Sequence, residues 1–278
     1  MSETTIPKER SHRFEAADAN EAVEGLKGLQ RELGPKAGVV FETFGRAVAI
    51  IGTCLDTSLY NRVIGFDAEL IDQLDEVIAF YRAHELPTRF DLIPELGSTD
   101  LTNALRSRGF KKSTKPIFSN QMVYCKPRQD IPEPGEGVTI REVDVNDAAL
   151  LGRVHAEGLT YPSPIREYLG LQLKERIGQP DAYGFLALVD GEPAASGLLS
   201  VVDGMGYLGH ASTKPEFRGR GAQTALINAR QRKACALGCD HVVTFSLPGS
   251  ASQRNVQRCG FIIAHELDIW MDIEVERE

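Results

Sequence analysis

The sequence predicts an α/β (α+β) chain built from two related halves, each a mixed, mainly antiparallel sheet flanked by helices. Three observations carry this expectation. Apolar patterning runs twice through one order of elements: a meander of strands, a helix, a strand, a short helix and a last strand. Two Gly-Phe pairs, Gly109-Phe110 and Gly260-Phe261, each close a short helical segment and open a strand-like one, a weak internal repeat. Between the halves lies Pro127 to Gly137, with three prolines, two glycines and no apolar period, which reads as a linker or a crossing strand. The expected domains are residues 1–130 and 131–278.

In the first half, Glu15 to Leu33 has helical spacing. Gly38 to Thr43, Ala47 to Gly52 and Leu59 to Ile64 read as strands, Leu70 to Leu86 as a helix, Arg89 to Ile93 as a strand and Asp100 to Ser107 as a helix, with a last strand ending near Cys125. The second half reads more sharply. Val138 to Val143 is strand-like; Asn146 to Leu159 and Pro164 to Ile177 are helical. Phe185 to Val189 and Ala194 to Val202 flank Asp190-Gly191, a two-residue hairpin signal because both central positions take positive φ. Asp203-Gly204 turns the chain into a third strand, Met205 to Thr213. A helix then places Ala222, Ala225, Leu226, Ala229 and Lys233 on one face, small enough to pack closely on a sheet. A strand from His241 to Ser246, a helix from Ser250 to Arg258 and a strand from Gly260 to Ile273 complete the plan.

Composition narrows the function classes. With 42% apolar and 25% charged residues the chain is of globular type. A net charge of -8 argues against nucleic acid, whose binding needs clustered cations, and weakly favours cationic or amine substrates. No apolar run approaches the roughly 18 residues of a membrane span. The opening Met-Ser-Glu-Thr-Thr has no leader pattern, so a cytoplasmic location is expected. Five cysteines, Cys54, Cys125, Cys235, Cys239 and Cys259, are too few for a disulfide framework. Cys235, Cys239 and His241 fall short of a complete zinc spacing and read as small packing residues, so no metal is expected.

The chemistry is concentrated in Thr213-Lys-Pro-Glu-Phe-Arg218-Gly-Arg-Gly-Ala-Gln-Thr-Ala-Leu226. A strand ends, glycines turn the chain and a helix begins. The first amides of a helix lack internal partners and point along the positive end of its dipole. Glycines let a phosphate approach them, and Arg218 and Arg220 add charge suited to a diphosphate. A glycine turn between two solvated arginines is the plainer reading of the same residues.

In context the segment resembles motif A of the GNAT superfamily of acyl-CoA-dependent N-acyltransferases. Thr213, Pro215, Arg218, Gly219 and Gly221 match that motif, Ala225-Leu226 match the helix after it, and Arg258-Cys-Gly260-Phe261 matches the end of the family's next motif. The resemblance covers Val138 to Ile273 in element order and is specific between Tyr207 and Leu226. It implies a tandem arrangement of two GNAT-like domains with acetyl-CoA as acyl donor. The backbone of Ala211, Ser212 and Thr213 would hold the pantetheine arm. That of Gly219, Arg220, Gly221, Ala222, Gln223 and Thr224 would hold the pyrophosphate. The acceptor implied is a primary amine of a small molecule, attacking directly in a ternary complex. A homodimer is compatible with the sequence, which does not fix the oligomeric state.

There are departures. Gln223 stands at the last Gly/Ala of the motif, Val256 at the frequent tyrosine acid and Gly249 at the common asparagine. Ser250, Ser252 and Asn255 are polar groups nearby; they suit either the pantetheine arm or helix capping. The third strand of the meander has no Asp or Glu to serve as base, which leaves His210, with the imidazole's intrinsic value near 6.5, and then Tyr207. An isolated strand histidine also serves packing. In the first half, Gly65-Phe-Asp67-Ala-Glu69 offers carboxylates where a phosphate loop would fall, so this half resembles a degenerate GNAT domain that completes the cleft or the sheet. Cys259 reads as core. The alternative function, supported by Val256 and Gln223, is a CoA- or small-ligand-binding sensor without turnover.

Overall fold

A computed structural model describes residues 6–55, 57–114 and 120–272. The first half contains α1 (Lys8–Leu33), β1 (Val39–Phe44), β2 (Ala47–Gly52), β3 (Asn61–Ile64), α2 (Leu74–Ala83), β4 (Arg89–Leu92), α3 (Thr99–Ser107), β5 (Phe110–Lys112) and β6 (Asn120–Cys125). The second contains β7 (Val138–Val143), α4 (Ala148–Gly158), α5 (Ile165–Arg176), β8 (Ala182–Val189), β9 (Glu192–Val202), β10 (Met205–Thr213), α6 (Ala222–Ala236), β11 (His241–Ser246), α7 (Ala251–Arg258) and β12 (Ile262–Asp272). The mixed α/β class expected from patterning is the class observed.

Among the boundaries that moved, two have a plain physical reason. Helix α1 begins at Lys8 rather than Glu15, because its first turns bury Ser11 and Phe14 among charged neighbours and hide the apolar period. The stretch expected as one helix from Leu70 opens instead as a 3-10 turn over Ala68–Gln73, N-capped by Asp67, before α2 proper.

All the strands join one sheet of order β1-β2-β3-β4-β12-β6-β11-β10-β9-β8-β7, with β5 also on β12. The two halves are interleaved at its centre. Strand β6 pairs antiparallel with both β11 and β12, while the far end of β12 reaches β4 at Asp268↔Leu92 to Met271↔Arg89. The Pro127–Gly137 stretch then carries the chain from β6 to the far-edge strand β7. It is tied to α6 by Arg232 Nη2, which donates to the carbonyls of Ile131 (3.0 Å) and Pro132 (2.7 Å).

Helices cover both faces. Helices α6 and α7 lie on one, where Leu226, Val256 and Phe261 pack with Phe185, Leu199 and Leu208. Helices α4 and α5 cover the other through Leu151 and Leu173 against Leu186 and Leu198. They cross closely because Gly152 and Gly170 face each other: a Cβ on either would meet the other's carbonyl oxygen at 2.5 Å. Helix α1 lies beside α5 and spans the halves. Its Leu26 and Leu29 pack with Ile50, Ile64 and Leu169, and its Phe14 packs with Tyr124 and Val243. Each such buried side chain contributes about 1.5–3 kcal/mol, which fixes α1 over the middle of the sheet.

Candidate active site

Strands β10 and β11 run parallel and pair only from Met205↔His241 to Tyr207↔Val243. One rung further, the Thr244 hydroxyl donates to the Leu208 carbonyl across 2.7 Å, and the ladder opens beyond it. Strand β10 stays with β9 through a bulge between Gly209 and Ser212, within which His210 takes φ +46°. A bulge re-aims side chains and bends its strand, so β10 turns away from β11.

Beside the end of β10 lies a cavity of about 580 Å³. Its walls include Ala211, Ser212 and Thr213 of β10, Arg218, Gly219, Gly221, Ala222, Gln223 and Thr224 at the start of α6, and Ser252 and Asn255 of α7. Eleven of the twelve sequence-selected binding residues therefore meet around one space. Arg220 is the exception: its guanidinium pairs with Asp190 at 2.5 Å. Gly219 and Gly221 sit at φ +79° and +82°, a region costly for residues with a Cβ, and a Cβ added at either would meet nothing within 4 Å. The space above the first amides of α6 is thus clear.

Side chains frame that space. Arg218 folds back, donating to the carbonyls of Thr213 (3.3 Å) and Gly158 (3.2 Å). Gln223, the departure from the motif, donates through Nε2 to the Ser212 carbonyl (2.8 Å) and Thr213 Oγ1 (2.9 Å), tying α6 to β10. Asn255 Oδ1 accepts from Arg258 at 2.8 Å, and Val256 is buried in the core. Cys259 is buried, with its thiol pushed up to about 11, so it remains protonated.

Tyr207 and His210 lie on the α1 side. The Tyr207 hydroxyl donates to Asp18 Oδ1 and His210 Nε2 to Glu21 Oε1, each at 3.1 Å. Behind Asp18 stands Arg62, which also binds Asp91; behind Glu21 stands Arg176, which also binds Asp181. Burial pushes the Glu21 carboxyl up, but the hydrogen bond and charge of His210, with the charge of Arg176, bring it below the usual range. For Asp18 burial prevails over Arg62 and the carboxyl is raised. Burial, then the neighbouring Asp18, push the Tyr207 phenol well up, so it stays neutral. His155, whose ring lies 5.4 Å from that of His210, is driven well below its usual value by burial and then by His210.

The α1 carboxylates were not among the sequence-selected residues. Their signal is faint but present: Glu15, Asp18 and Glu21 recur at every third position of a helix, on a face that also carries Phe14 and Ala17. Among the described residues no group of three or more His, Cys, Asp or Glu side chains could hold a metal ion, and no helix is long and apolar enough to cross a membrane.

The model of the acetyltransferase (GNAT) family matches residues 154–261, which contain the bulged strand, the glycine turn, α6 and α7. The chain carries a GNAT acetyltransferase domain. It is by that assignment an acyltransferase. No curated protein matches the sequence. Among solved structures, a GCN5-related N-acetyltransferase from Kribbella flavida is 18% identical, with a TM-score of 0.62 over 92% of this chain and 95% of that one. A tandem GNAT protein from the clavulanic acid biosynthesis pathway is 15% identical, with a TM-score of 0.60 over the same shares, 92% and 95%. A GCN5-related N-acetyltransferase from Sphaerobacter thermophilus is 17% identical, with a TM-score of 0.55 over 81% of this chain and 79% of that one. At such identities the likeness is one of fold, and for two of these structures it spans 92% of this chain, beyond the segment that the family model matches.

Proposed function

We propose that the chain transfers an acetyl group from acetyl-CoA to a primary amine of a small molecule, by direct attack in a ternary complex. The supporting observation is the clear space over the first amides of α6, walled also by Ala211 to Thr213 of β10, past the point where β10 stops pairing with β11. A diphosphate suits those amides, since it accepts several hydrogen bonds where the helix dipole favours negative charge. An extended arm suits the gap, because strands that stop pairing leave backbone groups free to bond it. When bound, acetyl-CoA supplies the activated thioester.

The chain's own residues would do the rest. The amides from Gly219 to Thr224 hold the diphosphate, with Arg218 alongside. His210 takes the proton that the ammonium must lose before attack. The new N–C bond forms as the C–S bond breaks, and the leaving thiolate is protonated by solvent in the open cleft. With Val256 at the position of the family's tyrosine, no side chain is assigned as that acid. In the first half, Asp67 accepts from the Glu69 amide at 2.8 Å where a phosphate loop would begin. We read this half as one without a coenzyme site. A cytoplasmic location suits a reaction that draws on acetyl-CoA.

The test is thiol release from acetyl-CoA across a broad panel of primary amines, run beside calorimetry with CoA. Turnover with at least one amine is the expected result. Tight CoA binding without turnover on any amine would instead favour a ligand sensor, the reading to which Val256 and Gln223 lean.

A further inference from the structure

We infer that Glu21, supplied by α1 of the first half, is a positioning residue for His210, so that the first half completes the amine-acetylating site of the second. The inference rests on the reading of His210 as base given above.

The geometry is that of a held dyad. His210 Nε2 meets Glu21 Oε1 at 3.1 Å, and the two side chains are 9% and 5% exposed. A left-handed backbone is unfavourable for a residue with a Cβ; at His210 it accompanies the bulge that turns the ring toward α1. Glu21 is fixed from behind, since Arg176 donates to both its oxygens at 3.2–3.3 Å. Asp181 in turn holds Arg176 at 2.6 Å. The row Asp181, Arg176, Glu21, His210 thus crosses from one half to the other.

This row sets the tautomer. A carboxylate accepts only, so it fixes the proton on Nε2 and leaves the Nδ1 lone pair for an incoming ammonium. Among the described residues Nδ1 has no hydrogen-bond partner. Once Nδ1 takes the proton, the imidazolium charge lies against Glu21. The other groups facing His210 do not compete for that role. His155 on α4 stays neutral and bonds Ser196 on β9 at 3.1 Å; Tyr207 on β10 bonds Asp18.

The decisive experiment is long-range ¹H–¹⁵N NMR of the full chain labelled at histidine, with His210→Gln assigning the signal. The expected spectrum shows a proton on Nε2 and a bare Nδ1. Glu21→Gln should move the ring's titration about one pH unit lower, a tenfold loss of proton affinity, and Glu21→Asp should move it less. A ring that titrates alike in wild type, Glu21→Gln and Glu21→Asp overturns the inference. Both variants must keep wild-type CoA affinity by calorimetry; if Glu21→Gln does not fold, Glu21→Asp decides. With an amine that turns over, Glu21→Gln should lower kcat about tenfold or more and shift the acid limb of its pH profile. Combined with His210→Ala it should add little further loss. His210→Ala with a normal rate overturns the base assignment itself. A slowed His210→Ala beside a normal-rate Glu21→Gln overturns the dyad alone.

Discussion

The Thr244 hydroxyl spans from β11 to the Leu208 carbonyl of β10 at 2.7 Å, and that bond marks where the sheet stops being a ladder and becomes a cleft. Both residues are buried. Replacing Thr244 with valine keeps the shape and leaves Leu208's carbonyl without this donor, a loss of about 1–3 kcal/mol. Thr244→Val should therefore lower the melting temperature and weaken CoA binding a few-fold, because the apex of the gap is no longer pinned. Scanning calorimetry and CoA titration measure the two effects; an unchanged melting temperature would show that the hydroxyl is dispensable.

The two arginines of the glycine turn should behave differently. Arg218 borders the cavity and is held by the carbonyls of Thr213 and Gly158. Arg220 is committed to Asp190 on the far side of the turn. Gly221 sits at φ +82°, so Gly221→Ala adds roughly 1–2 kcal/mol of backbone strain at the helix start. The pair Arg218→Ala with Gly221→Ala should weaken CoA binding tenfold or more, about 1.4 kcal/mol. Arg220→Ala should change it less than twofold. Equal losses from the two arginines would remove the distinction.

Much of this site was legible because its signals are local. A glycine turn between a strand and a helix needs only adjacent residues, and Thr213 to Leu226 announced both the turn and the helix after it. The meander was legible for the same reason, through Asp190-Gly191 and Asp203-Gly204. What stayed hidden is non-local. Nothing in Asn120 to Cys125 tells that this strand leaves its own half to lie between β11 and β12. The carboxylates that meet Tyr207 and His210 come from a helix about 190 residues earlier, and their buried polar face weakened the apolar period that would have marked it. Partners brought together by tertiary packing leave no spacing to read.

Glu15 makes that buried face a source of pH dependence. It is 4% exposed, and burial pushes its carboxyl up to about 8, with Asp18 adding to the effect and Arg46 opposing it. In the unfolded chain it ionises near 4.5. Below 4.5 both states are protonated and nothing is lost. Between 4.5 and about 8 the unfolded chain has shed a proton that the folded one keeps, so stability falls as pH rises through that window. Each pH unit of mismatch carries at most about 1.4 kcal/mol. Glu15→Gln removes this slope, so its melting temperature relative to wild type should rise from pH 5 to pH 8. Parallel curves for the two proteins would place the ionised carboxylate in the folded state at neutral pH.

The interleaving at the centre of the sheet bears on whether the acetyltransferase half stands alone. A chain beginning at residue 131 keeps the glycine turn, α6 and α7, yet lacks β6, whose backbone pairs with β11 from Val242 to Ser246 and with β12 from Ile262 to Leu267. Both strands would then present unpaired edges, with Val243 and Phe261 stripped of part of their cover, a combination that promotes edge-to-edge association. It also loses α1, and with it Asp18 and Glu21. Residues 131–278 expressed alone should accordingly aggregate or fail to show cooperative unfolding, by gel filtration and circular dichroism. Adding residues 1–130 as a separate chain should recover soluble, CoA-binding protein if β6 can dock in trans. A soluble 131–278 fragment with a sharp melting transition and full CoA affinity would mean that β6 and α1 are accessories to a self-sufficient domain.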